Sequence, residues 1–153
     1  MMSLFSLEKH LAGRFPPGIG DRRILFIGLL ALCSAYIQGP VVKIFDFAGA
    51  IAEMAHFGLQ PAPVFAIGVI VFELSMSALI LAGIYRWAAA TALAVFTFAA
   101  TFIALRFWEL PPGMECSMAM NGFFEHLGLV GAFTLVAWHD LREHGAPGKG
   151  RTS

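Results

Sequence analysis

The chain has 153 residues, 58% of them hydrophobic and only 13% charged, and ten basic residues balance ten acidic ones. An average soluble domain carries about 25% charged residues, so the composition excludes an ordinary soluble domain and points to a membrane protein. The even charge balance and the lack of a basic run give no sign of a nucleic-acid-binding surface, and the length allows one domain at most.

Residues 1–20 read as a cytoplasmic N-terminal segment. Leu4, Leu7 and Leu11 fall at helical spacing, with Phe15 near the same face. That pattern suits either a short interfacial helix lying on the membrane or a partly ordered tail. Pro16-Pro17-Gly18 ends it. No apolar h-region or small-residue cleavage site precedes position 20, so the first membrane helix is expected to serve as the insertion signal.

Residues 21–140 read as the membrane domain. Asp21-Arg22-Arg23 leads into a first span over 24–42, which has Gly39-Pro40 near its far end and Lys43 at the membrane edge. A proline removes one backbone donor, and a lysine stem can snorkel to water. Between residues 45 and 61 the chain leaves the bilayer. Asp46 is a plausible N-cap for a short amphipathic helix over 47–57, with Gly58 as its stop. Glu53 and His56 are its polar positions, and Pro61 and Pro63 reset the chain.

The second span, 62–83, is the most telling stretch. It carries a single charge, Glu73, at its centre. A helix rises ~1.5 Å per residue, so Glu73 lies roughly 16 Å from either end, near the midplane of a bilayer core about 30 Å thick. A carboxylate there costs about 2.5–3.5 kcal/mol on insertion scales and is rarely left facing lipid. Tyr85-Arg86-Trp87 then makes a tight turn at an aromatic interface. The third span is 88–107, with Arg106 at its exit and Trp108 at the interface beyond. Pro111-Pro112-Gly113 opens a loop that continues through Met114–Met120. The fourth span is 121–138, with Asn121, Glu125 and His126 in its first two turns. His139, Asp140, Arg142, Glu143 and His144 return to water, and 141–153 form a disordered cytoplasmic tail.

The reading is therefore an all-α integral membrane protein, an antiparallel four-helix transmembrane bundle. Four spans place both termini on one side, together with Lys9, Arg14, Arg22, Arg23, Arg86, Arg142, Lys149 and Arg151, against Lys43 and Arg106 on the other. That bias puts both termini in the cytoplasm. Lys43-Ile-Phe-Asp46 and Arg106-Phe-Trp-Glu109 echo each other, and each precedes a span carrying a glutamate, which fits two parallel helical hairpins.

The candidate site is the set of polar residues at membrane depth: Gln38, Lys43, Glu73, Arg106, Asn121, Glu125 and His126. Gathered on inward faces, they form a pocket open to the outer side, suited to a quinone head group, a proton or a small anion. The alternative is structural: Glu73 bonds Gln38 or a backbone group and locks the bundle, with Lys43 and Arg106 as interface anchors. Met114, Cys116, Met118 and Met120 alternate as soft donors that suit Cu(I); in an extended strand they need a bend to close on one ion, and a Met-rich interface loop is the preferred reading. Cys33 lies mid-span and Cys116 beyond the bilayer, too far apart for a disulfide. Cys116 is free to bridge to another chain. No CxxC pair supports dithiol chemistry, and no second histidine at the depth of His126 supports haem.

Several of these positions together resemble the DoxX family of small four-span membrane proteins. They are Gly39 with Lys43, Glu73, Gly83 with Arg86, Ala88-Ala89, Trp108, Phe124-Glu125-His126-Leu127 and Gly131, spread over about 22–140. The resemblance implies a four-helix protein of the bacterial inner membrane. Some relatives are described as membrane subunits of thiosulfate:quinone oxidoreductase, or as partners of thiol and oxidative-stress enzymes. Members often carry a histidine near the end of span three, where this chain has Arg106.

The leading expectation is a membrane subunit or anchor of a redox complex, with no catalytic motif of its own and its cofactor left open, a quinone or a proton being what its site could take. A non-catalytic scaffold or assembly factor, and a small transporter or lipid-binding protein, are the alternatives. Expected partners are the lipid bilayer and either a soluble redox enzyme or further copies of the chain.

Overall fold

The computed structural model describes residues 19–145. Its helices are α1 (Ile19–Phe45), α2 (Phe47–His56), α3 (Ala62–Ala82), α4 (Arg86–Ala104) and α5 (Met114–Gly145), with a 3-10 turn at Phe107–Glu109 between the last two. Among the described residues, four helices are long and apolar enough to cross a membrane: α1, α3, α4 and α5. The all-α bundle expected from hydropathy is what the chain forms. Helix α1 packs on α3, α3 on α4, and α4 on α5, while α2 lies mainly against α3. The expected N-terminal helix over residues 3–15 and the last eight residues lie outside the described residues.

A shared spacing explains the packing. The inward residues recur every three or four positions, as in helices that meet along a seam. In α1 they are Leu29, Cys33, Tyr36, Pro40 and Lys43; in α3, Ala66, Ile70, Glu73, Ser77 and Ile80. Helix α4 contributes Arg86, Ala90, Leu93, Thr97 and Thr101, and α5 contributes His126, Val130, Phe133, Ala137 and Asp140. Residues off these stripes, among them Ile27, Ile67, Val95 and Leu135, are large, apolar and exposed, as lipid contact requires. Small side chains at the seam (Ala66, Ala89, Ala90, Ala137) let the backbones approach closely. Trp87 and Trp138 near one end, and Trp108 near the other, are half exposed and suit the two interfaces.

The helix ends have local causes. Asp46 caps α2: its carboxylate accepts from the Gly49 amide at 2.9 Å. Gly83 ends α3 at φ 74°, a left-handed angle that calls for glycine, and a Cβ there would lie 2.9 Å from Nη2 of Arg86 and push that side-chain tip aside. Tyr85 precedes α4 at φ 46° and gives no side-chain cap. Asp140 of α5 supplies one instead, with Oδ2 accepting from the Trp87 amide at 3.1 Å. Arg86 Nη1 lies 3.5 Å from Oδ1 of the same carboxylate, and Arg86 Nε donates to the Ile80 carbonyl at the end of α3. One arginine and one aspartate thus fasten three helices at this end.

Three expectations need correction. Met114–Met120 is not a loop: it forms the first two turns of α5, a helix of 32 residues. Pro111-Pro112-Gly113 breaks the chain before it, but Met, Ala and Glu are strong helix formers. Helix α5 also runs through 141–145, so no disordered tail begins at 141. Asp140 does not return to water, being 3% exposed beneath Arg86.

Candidate functional site

At the end of the bundle opposite Arg86 and Asp140, the helices do not close. A cavity of about 430 Å³ opens between them. The stripes converge on it: α1 contributes Tyr36, Gly39 and Lys43, α3 contributes Glu73, and α5 contributes His126. Thr97 lines it from α4, and Phe65, Phe96 and Leu129 supply apolar wall. Helix α2 folds back across its rim and adds Glu53, Met54 and Phe57.

Glu53 ion-pairs with Lys43. The Lys43 side chain is 19% exposed, so this pair holds the rim of α2 to α1. Glu73 forms no hydrogen bond or ion pair with the described residues. It feels Lys43 and Glu53 through space as an attraction and a repulsion. Gly39 keeps the wall beside Glu73 thin, since a Cβ there would lie 3.9 Å from Oε2. One carboxyl group, Glu53, thus holds the ammonium, and the other, Glu73, lies within its field in a chamber whose remaining lining is largely apolar.

The neutral polar groups form a directed chain. Thr97 Oγ1 donates to the Leu93 carbonyl at 2.7 Å, and Thr101 Oγ1 donates to the Thr97 carbonyl at 2.6 Å. Each hydroxyl has one proton, so each must accept from its other neighbour. Tyr36 therefore donates to Thr97, and His126 Nδ1–H donates to Thr101 across 3.1 Å. In the neutral imidazole this leaves Nε2 as the lone-pair nitrogen. Pro40 has no amide to give to the Tyr36 carbonyl, so a backbone acceptor is freed on the same stripe.

Of the seven polar residues expected to gather, the structure brings together Glu73, Lys43 and His126. It does not bring in the other four. Gln38, Asn121 and Glu125 are exposed, because each lies off its helix's inward stripe. Glu125 and His126 are adjacent, which turns them ~100° apart on a helix, so both cannot face one cavity. Gln38 is not a partner of Glu73. Arg106 stands outside, paired with Glu109 at 3.2 Å, both half exposed. The echo between the two base-to-acid tetrads is therefore not one of use: Asp46 caps a helix, whereas Glu109 pairs with its own arginine.

The soft-donor reading loses its geometric premise. A helix puts Met114 and Met118 on one face and Cys116 and Met120 on another, so the four cannot close on one ion as α5 stands. Cys116 is half buried and its thiol donates to the Phe107 carbonyl at 3.4 Å; both cysteines are free.

Glu53, Tyr36, Thr97 and Thr101 were missed by sequence reasoning. A signal for Glu53 was present. Ala50, Met54 and Phe57 sit at i, i+4 and i+7, and Glu53 shares that stripe.

The DoxX family model matches residues 24–106, just over half of the chain. The chain belongs to the DoxX family. The matched segment of this DoxX protein holds Tyr36, Lys43, Glu53, Glu73, Thr97 and Thr101 but stops before His126. Comparison with curated proteins and with solved structures gives no match. Family and fold together make this a multi-pass membrane protein.

Proposed function

We propose that this DoxX protein is the membrane subunit or anchor of a redox complex in the bacterial inner membrane, with both termini cytoplasmic and residues 21–140 as its working domain. Its cavity receives a quinone head group from the outer half of the bilayer. The observation that carries this reading is the cavity itself. A bundle that needed only stability would fill that space, because unfilled volume forfeits packing contacts. Here the space is kept open around Glu73, which has no bonding partner among the described residues. The volume falls within the ~300–1,000 Å³ typical of small-molecule sites, and such sites combine apolar walls with a few convergent polar groups. Phe65 and Phe96 offer flat apolar surface, and Glu73, His126 and Lys43 offer polar contacts. The absence of a CxxC pair or a catalytic triad in the sequence fits a subunit that binds a carrier while a partner performs the chemistry.

Native co-purification tests the reading. The protein is extracted from its own membranes in mild detergent, and whatever accompanies it is identified by mass spectrometry. A soluble oxidoreductase or sulfurtransferase in stoichiometric yield is expected. A clean homo-oligomer carrying only lipid would overturn the redox-subunit reading in favour of a transporter or lipid-binding protein.

A further inference from the structure

We infer that the cavity is built for a ligand that donates hydrogen bonds, and hence that it holds the reduced, dihydroxy-aromatic form of a quinone in preference to the oxidised form. This rests on the quinone reading above and adds a direction to it.

The argument is an inventory of protons. The polar side chains lining the cavity are Tyr36, Lys43, Glu53, Glu73, Thr97 and His126. The Tyr36 proton goes to Thr97, the Thr97 proton to the Leu93 carbonyl, and the His126 Nδ1 proton to Thr101. Thr101 cannot reverse that last bond, because its own proton is on the Thr97 carbonyl. Lys43 gives one of its three protons to Glu53 and its ammonium is also attracted by Glu73, so it is the one lining side chain with protons to spare, and two carboxyl groups draw on them. Apart from the two remaining Lys43 protons, what is left for a ligand is acceptor: Nε2 of His126, the second lone pair of Tyr36 Oη, and Glu73, which keeps an acceptor oxygen in either protonation state.

A quinone presents two carbonyl oxygens, which are acceptors. Facing this lining, it finds a donor only at Lys43 and leaves its other carbonyl and the lining acceptors unsatisfied in a largely apolar chamber, an arrangement that costs the desolvation of each group left unpaired. A hydroquinone presents two hydroxyl donors and satisfies them. The same inventory disfavours a small anion, one of the ligands the sequence admitted, because the charged groups lining the cavity are two carboxyls against one ammonium.

The test uses the full chain in nanodiscs. A short-chain benzohydroquinone, kept reduced under argon, and its quinone are titrated separately by calorimetry, with empty nanodiscs giving the lipid-partition baseline. The reduced form should bind about tenfold tighter, the difference one well-placed hydrogen bond to a charged group supplies. In Glu73→Gln, whose side-chain amide adds a donor, the preference should fall several-fold. Equal affinity, or tighter binding of the quinone, would overturn the inference while leaving a quinone site in place. Binding of neither form above baseline would overturn both. The wild-type comparison does not depend on any variant folding.

Discussion

At one end of this bundle, Arg86 and Asp140 tie α3, α4 and α5 together, and Leu93, Phe133 and Ile80 fill the space above them with no exposure. At the other end the same helices stand around a cavity, and Glu73 projects into it without a bonded partner. Both ends place an acidic residue on an inward stripe. They differ in what surrounds it. Asp140 meets an amide at a helix start, which donates to Oδ2, and a guanidinium 3.5 Å from Oδ1. Glu73 meets apolar wall and a lysine already held by Glu53. A buried charge held by a donor and a counter-charge fastens a fold, and one left open is available to a ligand. The two carboxyls, alike in sequence, thus have different roles because of their neighbours.

The largest expected effect tests the closed end. Asp140→Ala leaves the Arg86 guanidinium beneath α5 without its counter-charge and uncaps α4. Removing one partner of a buried pair costs about 3–5 kcal/mol, and thermal unfolding in detergent should show a correspondingly large drop in midpoint. A change no larger than that of an exposed-pair variant such as Glu109→Ala would mean that the clamp is not what holds this end.

Gly83→Ala should come next. It forces a side chain into the left-handed region and against Nη2 of Arg86, at a cost of about 1–3 kcal/mol. Because the strain falls on the arginine, Gly83→Ala and Arg86→Ala should be non-additive in a double-mutant cycle; additive losses would show that the glycine matters for its backbone angle alone. Asp46→Ala is smaller, about 1 kcal/mol for a lost cap, and it is local. Amide exchange should speed up across residues 47–57 while the spans keep their protection. Uniform loss of protection would mean that α2 is not a separable rim.

How much of this was legible in the sequence follows from the physics of each feature. The four spans, the capped α2 and the central glutamate are local facts, set by hydropathy runs and by residue types at helix ends. Position along each helix was legible too: Lys43, Glu73 and His126, expected to gather, line one cavity, because rise per residue is fixed. Azimuth was harder. Gln38, Asn121 and Glu125 lie at the right depth but face away, and only the full stripe, such as 29-33-36-40-43, says which side of a helix turns inward. The burial of Asp140 was beyond local reasoning, since it depends on the start of α4, distant in sequence. Met114–Met120 was misread for a different reason: alternation of sulfur residues suggested an extended segment, and helix propensity overrode it.

The smallest expected effect sharpens the comparison most. Glu73→Gln keeps shape, removes the charge and replaces one acceptor oxygen by an amide donor. Because Glu73 makes no hydrogen bond or ion pair with the described residues, little is lost; interhelical polar contacts in membranes average about 0.6 kcal/mol even where they exist. The variant should also escape part of the cost of a charge at mid-bilayer. Its unfolding free energy should therefore stay within about 0.5 kcal/mol of wild type, or rise slightly, while its preference for the reduced ligand falls. Asp140→Asn is the matched control, the same chemical change at the closed end, and it should be clearly destabilising because Arg86 loses its counter-charge. If Glu73→Gln destabilised as much as Asp140→Asn, Glu73 would be a structural lock like its counterpart, and the open end would be a packing defect rather than a site.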